Sequence, residues 1–231
     1  MVTTAARAWC IPLAVRCFRR QSGLERLGAE LVVVSEDPSV ESLLPDDPAV
    51  RFERSPPGLS LGEKHNEAVR RCRYGWIAKW DDDDWHAPWR LSVTLRSLHH
   101  ANALVAGTRE LLFHELIEPR RTFLYSYQGD RSWVSGNALM FHRSIWAQYP
   151  FPDRPSGVDT VFAQSVLPHT PHVVITDPGI VVVFQHRQKT GRKVWKPEPP
   201  EYTPWTGSIE NTIGGDLSLY HAAFMKRGGH A

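Results

Sequence analysis

The 231-residue chain has few cysteines, no excess of charge of either sign and no long apolar run. Its three cysteines, Cys10, Cys17 and Cys72, are odd in number and form no Cys-x-x-Cys pair. That argues against a disulfide framework or a thiolate zinc site and fits a reducing, cytoplasmic setting. Lys and Arg total 27 against 25 Asp and Glu, a net charge of +2, so no surplus points to nucleic acid or an anionic membrane as partner. No stretch is long and apolar enough to span a bilayer, so no transmembrane segment is expected. The segment 1–18 is broken by Arg7, Pro12 and Arg16 and lacks a signal-peptide pattern. Peripheral attachment to a membrane remains compatible with all of this. No internal repeat is visible.

What is present fits a globular enzyme-sized domain. Hydrophobic residues make up 42% and charged residues 23%. The length suits one large α/β domain, or a domain with a short appendage. Nine tryptophans are many for this size. Indole rings fill cores and also line sites for flat or sugar-like ligands, and most are read here as core.

The first half alternates strand and helix signals. A short strand is expected at Val2–Thr4, then a helix opened by Pro12 with Leu13, Cys17 and Phe18 on one face. Leu31–Val34 is an apolar, mostly β-branched run, as in a strand buried on both faces. It ends in the turn Ser35-Glu36-Asp37-Pro38. Val50–Arg54 reads as a strand, Gly58–Gly62 as a loop leading into a helix with Ala68, Val69 and Cys72, and Trp76–Trp80 as the next strand. A helix from Pro88 carries Leu91, Leu95 and Leu98 at helical spacing. Such repetition predicts a mainly parallel sheet with helices on both faces, with ligands beyond the carboxyl ends of its strands. Further on, strands are expected at Arg109–His114, Thr122–Tyr127 and Ala138–Phe141, and a helix at Asp159–Leu167. A hairpin of His172–Ile175 and Ile180–Phe184 is expected around Asp177-Pro178-Gly179. The segment 196–205 holds four prolines and reads as a linker or lid. A closing helix would carry Leu217, Tyr220 and Phe224.

Four consecutive aspartates, Asp81 to Asp84, follow the strand at Trp76. Like charges crowd one another and are expensive to desolvate without partners. In extended geometry Asp81 and Asp83 would face one way, Asp82 and Asp84 the other. Two carboxylates on one side suit Mg²⁺ or Mn²⁺, which could in turn hold a diphosphate. The plainer alternative is a solvated acidic turn.

The stretch Lys79-Trp80-Asp81-Asp82-Asp83-Asp84-Trp85-His86-Ala87-Pro88-Trp89-Arg90-Leu91 resembles the D-x-D region of family 2 glycosyltransferases of the GT-A fold. Leu61–Ala68, Glu30–Val34 with Arg20-Gln21, Ser135–Phe141 and Gly157-Val158-Asp159 are similar to other segments of that family, in its order. The resemblance covers about residues 2–190. It implies a three-layer α/β/α fold with a mainly parallel, mixed central sheet. The nucleotide-binding half would lie at about 1–107 and the acceptor half at about 108–195. Residues 196–231 would be a Pro-rich linker and helical tail. It also implies transfer of a sugar from a nucleotide diphosphate sugar to an acceptor hydroxyl on a glycan, lipid or small molecule, with inversion.

By the same resemblance Asp83 would bind the divalent cation, with Asp81 and His186 as further metal ligands. Asp81, Asp82, Thr3, Thr4, Glu36, Asp37, Lys64, Asn66, Gly136 and Asn137 would contact the nucleotide sugar. Asp159 would be the general base, and its plainer role is a helix N-cap. Arg187 and Lys189 would face the leaving diphosphate, and Trp85, Trp89 and Trp133 could stack on sugar or base or simply be core. The chain departs from the family at Ser35-Glu36-Asp37-Pro38, where Asp-Asp-Gly is usual, and at Val158, where Glu is usual. It also begins very near the first strand, so either that strand is short or the true start lies upstream.

Two other readings stay open. A nucleotidyltransferase would need a glycine-rich basic loop after the first strand, but Thr3–Ala8 contains no glycine. A degenerate transferase would keep the pocket and bind nucleotide sugar without turnover.

Overall fold

The structure, a computed structural model, describes residues 1–186 and 197–226. Helix α1 (Ile11–Arg19) begins with Pro12 in its first turn, where the missing N–H costs no helical bond. A short α2 (Leu24–Leu27) leads to β1 (Leu31–Ser35), whose five residues are all buried, as the apolar run predicts. β2 (Val50–Arg54) pairs in parallel with β1, setting Leu31 opposite Val50. Helix α3 (Leu61–Arg71) is opened by a capping box: the Ser60 hydroxyl accepts from the Glu63 N–H and the Glu63 carboxylate accepts from the Ser60 N–H. It packs on β1.

β3 (Trp76–Ala78) is shorter than its apolar run, and the acidic turn leads from it into β4 (Trp85–His86). Then follow α4 (Arg90–His100), β5 (Val105–Thr108), β6 (Glu110–Glu115), β7 (Thr122–Ser126) and β8 (Met140–His142). Next come α5 (Arg143–Gln148), α6 (Val158–Val166), β9 (His172–Ile175) and β10 (Val181–Gln185). The described chain closes with β11 (Tyr202–Pro204), α7 (Ile209–Ile213) and α8 (Asp216–Lys226).

This is a mixed α/β fold. β1 and β2 form one sheet, β3-β8-β5-β9 a second and β11-β7-β6-β10-β4 a third. Pairing is parallel between β1 and β2, β5 and β9, and β6 and β10. It is antiparallel where β8, β7, β4 and β11 attach.

Several expectations are corrected. The strand at Val2–Thr4 is reduced to one parallel bridge between Val2 and Val34. The hairpin around Asp177-Pro178-Gly179 does not form: β9 pairs with β5, whereas β10 pairs with β6 and β4. The turn is there, with the Asp177 carboxylate accepting the Gly179 N–H at 2.9 Å, but it carries the chain from one sheet to another. Within 196–205, Tyr202–Pro204 is a strand on β7. The closing helix forms, and Ile209, Ile213, Leu217 and Tyr220 join the same core as Phe18, Val33, Trp80 and Leu98.

Candidate functional site

β3 stops at Ala78. The Lys79 N–H still bonds the Leu139 carbonyl at 2.9 Å, and the backbone then turns at Asp82-Asp83. Because this is a turn, the alternation expected for extended chain does not hold. Asp81 and Asp84 are drawn together by the Asn137 amide, at 3.1 and 2.6 Å. Asp82 and Asp83 are drawn together by the Arg7 guanidinium, at 3.1 and 3.3 Å. The pairs are therefore 81 with 84 and 82 with 83, not 81 with 83.

Four side chains hold the turn from behind. The wholly buried Arg90 donates to Lys79 O and to His86 Nδ1, both at 2.6 Å, and lies 5.0 Å from the Trp80 ring centre. With Nδ1 accepting, His86 carries its proton on Nε2 and donates it to Asp81 O at 3.1 Å. Burial, then Arg90, lowers the His86 pKa well below the ordinary value, which keeps that ring neutral. The Tyr220 hydroxyl donates to Asp84 O at 3.0 Å, and Trp85 Nε1 donates to Asp216 at 3.0 Å. Asp216 is in turn paired with Arg16 and Arg20. Trp85 is thus a core residue rather than a stacking surface.

The turn's charges are unequal. Asp82 accepts a hydrogen bond from Thr3, yet burial first and then Asp83 raise its pKa to about 7. For Asp81 burial pulls upward, but Lys79 outweighs it and the pKa is lowered. Lys79, itself buried, donates to both Asp81 oxygens at 2.6 and 2.7 Å and lies 3.5 Å from Asp159. His186 Nε2 lies 3.1 Å from Asp83 Oδ2, and its ring meets Trp9 edge-on at 5.2 Å.

Asp159 stands in the first turn of α6, where Gly157, with φ +67°, is the N-cap. The capping role considered for Asp159 is therefore taken by another residue, although its Oδ1 accepts the Thr160 N–H at 2.9 Å. Its Oδ2 lies against Gly136, where a Cβ would come within 1.9 Å of it. Glycine there lets the 3₁₀ turn Gly136–Ala138, capped by the Ser135 side chain, bring Asn137 to the aspartates.

The other expected contacts are placed as follows. Glu36 pairs with Lys64 at 3.2 Å just past β1, and its pKa is lowered by Lys64. Asp37 caps the turn at Pro38, accepting from Ser39 N–H at 2.9 Å. Thr4 precedes the 3₁₀ turn Ala5–Arg7. Asn66 is not brought to the site: its amide donates to Phe151 O and its oxygen accepts from Trp146 Nε1 and Phe151 N–H. Trp89 donates to Asp177, and Trp133 stacks on Tyr127 at 4.8 Å. Arg187 and Lys189 lie outside the described residues. Arg7 and Lys79 were not singled out by sequence reasoning. The one available signal was a lysine at the end of an apolar strand, just before four like charges.

No family model matches the chain, and no curated protein matches it. Solved structures do. S. aureus TarS 1-349 in complex with UDP-GlcNAc matches with TM-score 0.62 and 11% identity, over 85% of this chain and 61% of that one. S. aureus TarS 1-349 matches at TM-score 0.59 and 11% identity, over 79% and 59%. Its complex with UDP matches at 0.59 and 11%, over 80% and 59%. The chain thus spans about three-fifths of the length of these structures, and the likeness establishes a shared fold.

Proposed function

We propose that the chain is a glycosyltransferase of the family 2 type, moving a sugar from a nucleotide diphosphate to an acceptor hydroxyl with inversion and with a divalent cation. One observation carries this reading: Asp81–Asp84, Asn137, Lys79 and Asp159 converge beyond the end of β3. They do so in a fold shared with a protein crystallised with UDP-GlcNAc and UDP.

Asp83 and His186 would hold the cation. Their O–N separation of 3.1 Å suits neighbouring ligands of one ion. Among the described residues no group of three His, Cys, Asp or Glu side chains makes a complete set, so diphosphate oxygens and water would fill the remaining positions. Such a cation would neutralise charge on the departing diphosphate.

Arg7 keeps Asp82 and Asp83 together and stands where it could also meet a phosphate. Thr3, Thr4, Glu36, Asp37 and Lys64 would line the nucleoside side, with Asp81, Asp82, Gly136 and Asn137 toward the ribose and sugar. Asp159 would accept the proton of the attacking hydroxyl. Lys79 orients it from one side and Gly136 leaves it room. One base and in-line attack give inversion. The nucleotide half would span about 1–107 and the acceptor half about 108–195.

The test is a panel of nucleotide sugars with and without Mn²⁺ or Mg²⁺. The expected result is metal-dependent release of nucleoside diphosphate, lost in Asp83→Ala. Pyrophosphate release would favour a nucleotidyltransferase. Tight binding with no turnover on any donor or acceptor would leave a degenerate transferase.

A further inference from the structure

The fold is interrupted between β1 and β3. β1 is an edge of the two-stranded sheet and β3 an edge of the four-stranded one. Between them lies a cavity of about 330 Å³, lined by Glu30, Leu31 and Val32 on one side and Trp76, Ile77 and Ala78 on the other. Helices α1, α3 and α4 and strand β8 contribute further walls, and Met1 also lines it. Protein interiors tolerate few voids larger than a water molecule, about 30 Å³.

Backbone groups, more than side chains, give this cavity its character. Leu31 and Ser35 bond toward β2, through Leu31 N–H to Ala49 O and Ser55 N–H to Ser35 O. By alternation Val32 and Val34 face the opposite edge. There Val34 N–H bonds Met1 O at 2.8 Å, Thr3 N–H bonds Val34 O at 3.0 Å, and the Met1 amine bonds Val32 O at 2.7 Å. A parallel ladder therefore begins at Met1–Thr3 and, among the described residues, continues no further along β1. On the other wall, Arg143 N–H bonds Gly75 O and Lys79 N–H bonds Leu139 O, so Trp76 and Ala78 present their backbone to the cavity. The Met1 amine is itself buried, and burial lowers its pKa. An ammonium is a poor group to bury, whereas a peptide N–H at that place would make the same bond to Val32 O without charge.

We propose that an extended segment joined to the nitrogen of Met1 inserts between β1 and β3 as a strand parallel to β1, uniting the two sheets. Val2 lies opposite Val34, so the same register sets the residue before Met1 opposite Val32, and the next two opposite Leu31 and Glu30. Helices on both faces make this an apolar, β-branched segment. A separate peptide fits less well, because the ladder already starts in this chain. The inference is independent of the proposed activity.

The experiment compares chain 1–231 with the same chain preceded by the residues its gene encodes in frame before Met1. Intact mass of the protein from its source is expected to exceed the 26.2 kDa of residues 1–231. In the longer chain the Val32 and Ala78 amides are expected to resist hydrogen exchange at least tenfold more strongly, and Tm to rise. If chain 1–231 does not fold and the longer one does, the proposal stands. Three results would overturn it: a source protein beginning at Met1, equal exchange at both amides in the two chains, or protection supplied by a separate copurifying peptide.

Discussion

The end of β3 and its edge toward the cavity lie a few residues apart and are finished differently. At the end, each of four aspartates has a partner drawn from distant sequence: Thr3, Arg7, Asn137 or His186. Along the edge, Trp76 and Ala78 turn backbone groups toward an apolar cavity. The difference is one of chemistry. Long side chains can reach a crowded charge from many places in the fold, whereas a row of peptide groups along a strand edge is paired most completely by another strand.

The largest expected effect is at the charged end. Asp159→Asn should lower transfer about 10²- to 10⁴-fold while donor binding persists, because the amide cannot take the proton. Steady-state rates beside donor titration would show it, and wild-type transfer would place the base elsewhere.

Next is His65, which lines the cavity on one side and feels Lys79 on the other. Burial first, then Lys79, the Met1 amine and Arg7, lower its pKa to about 3, with Asp81 opposing. The unfolded chain therefore takes up a proton before the folded one as pH falls. The contribution of the neutral ring is fully present above the ordinary value of 6.5 and is lost progressively from there toward pH 3. By pH 4 the loss reaches about 3 kcal/mol. Denaturant titrations across pH should show this slope in the wild type and a flatter one in His65→Gln.

Gly136→Ala tests the closeness of the two segments at the site. A methyl group there would meet Asp159, so stability should fall by about 2 kcal/mol and transfer should drop with it, read by thermal melts and rate. The smallest effect is expected from Tyr220→Phe, which removes the bond to Asp84 O and should cost about 1 kcal/mol. A double-mutant comparison with Asp159→Asn would show additivity if α8 supports the turn without touching the chemistry.

Much of this was legible in the residues, for identifiable reasons. The apolar run Leu31–Val34 and the Ser60/Glu63 cap act locally, so β1 and α3 stand where they were read. Asp177-Pro178-Gly179 also made its turn, but turn chemistry says nothing of which sheet the next strand joins, and the hairpin failed there. The acidic run looks extended only if the strand reaches Trp80. Once the ladder stops at Ala78, the side chains regroup around Arg7 and Asn137, partners 76 and 56 residues away from Asp83 and Asp81. Asn66 matched a family segment, yet Trp146 and Phe151 absorb its hydrogen bonds. Contacts across such distances leave no periodic trace.

Asp216 and Tyr220 tie the last described helix to the loop that holds Asp84 and Trp85. A version of this protein trimmed before residue 209 would keep all four aspartates in its sequence and lose the brace that sets their spacing. Any shortened form meant to keep the arrangement of these carboxylates has to retain residues 209–226.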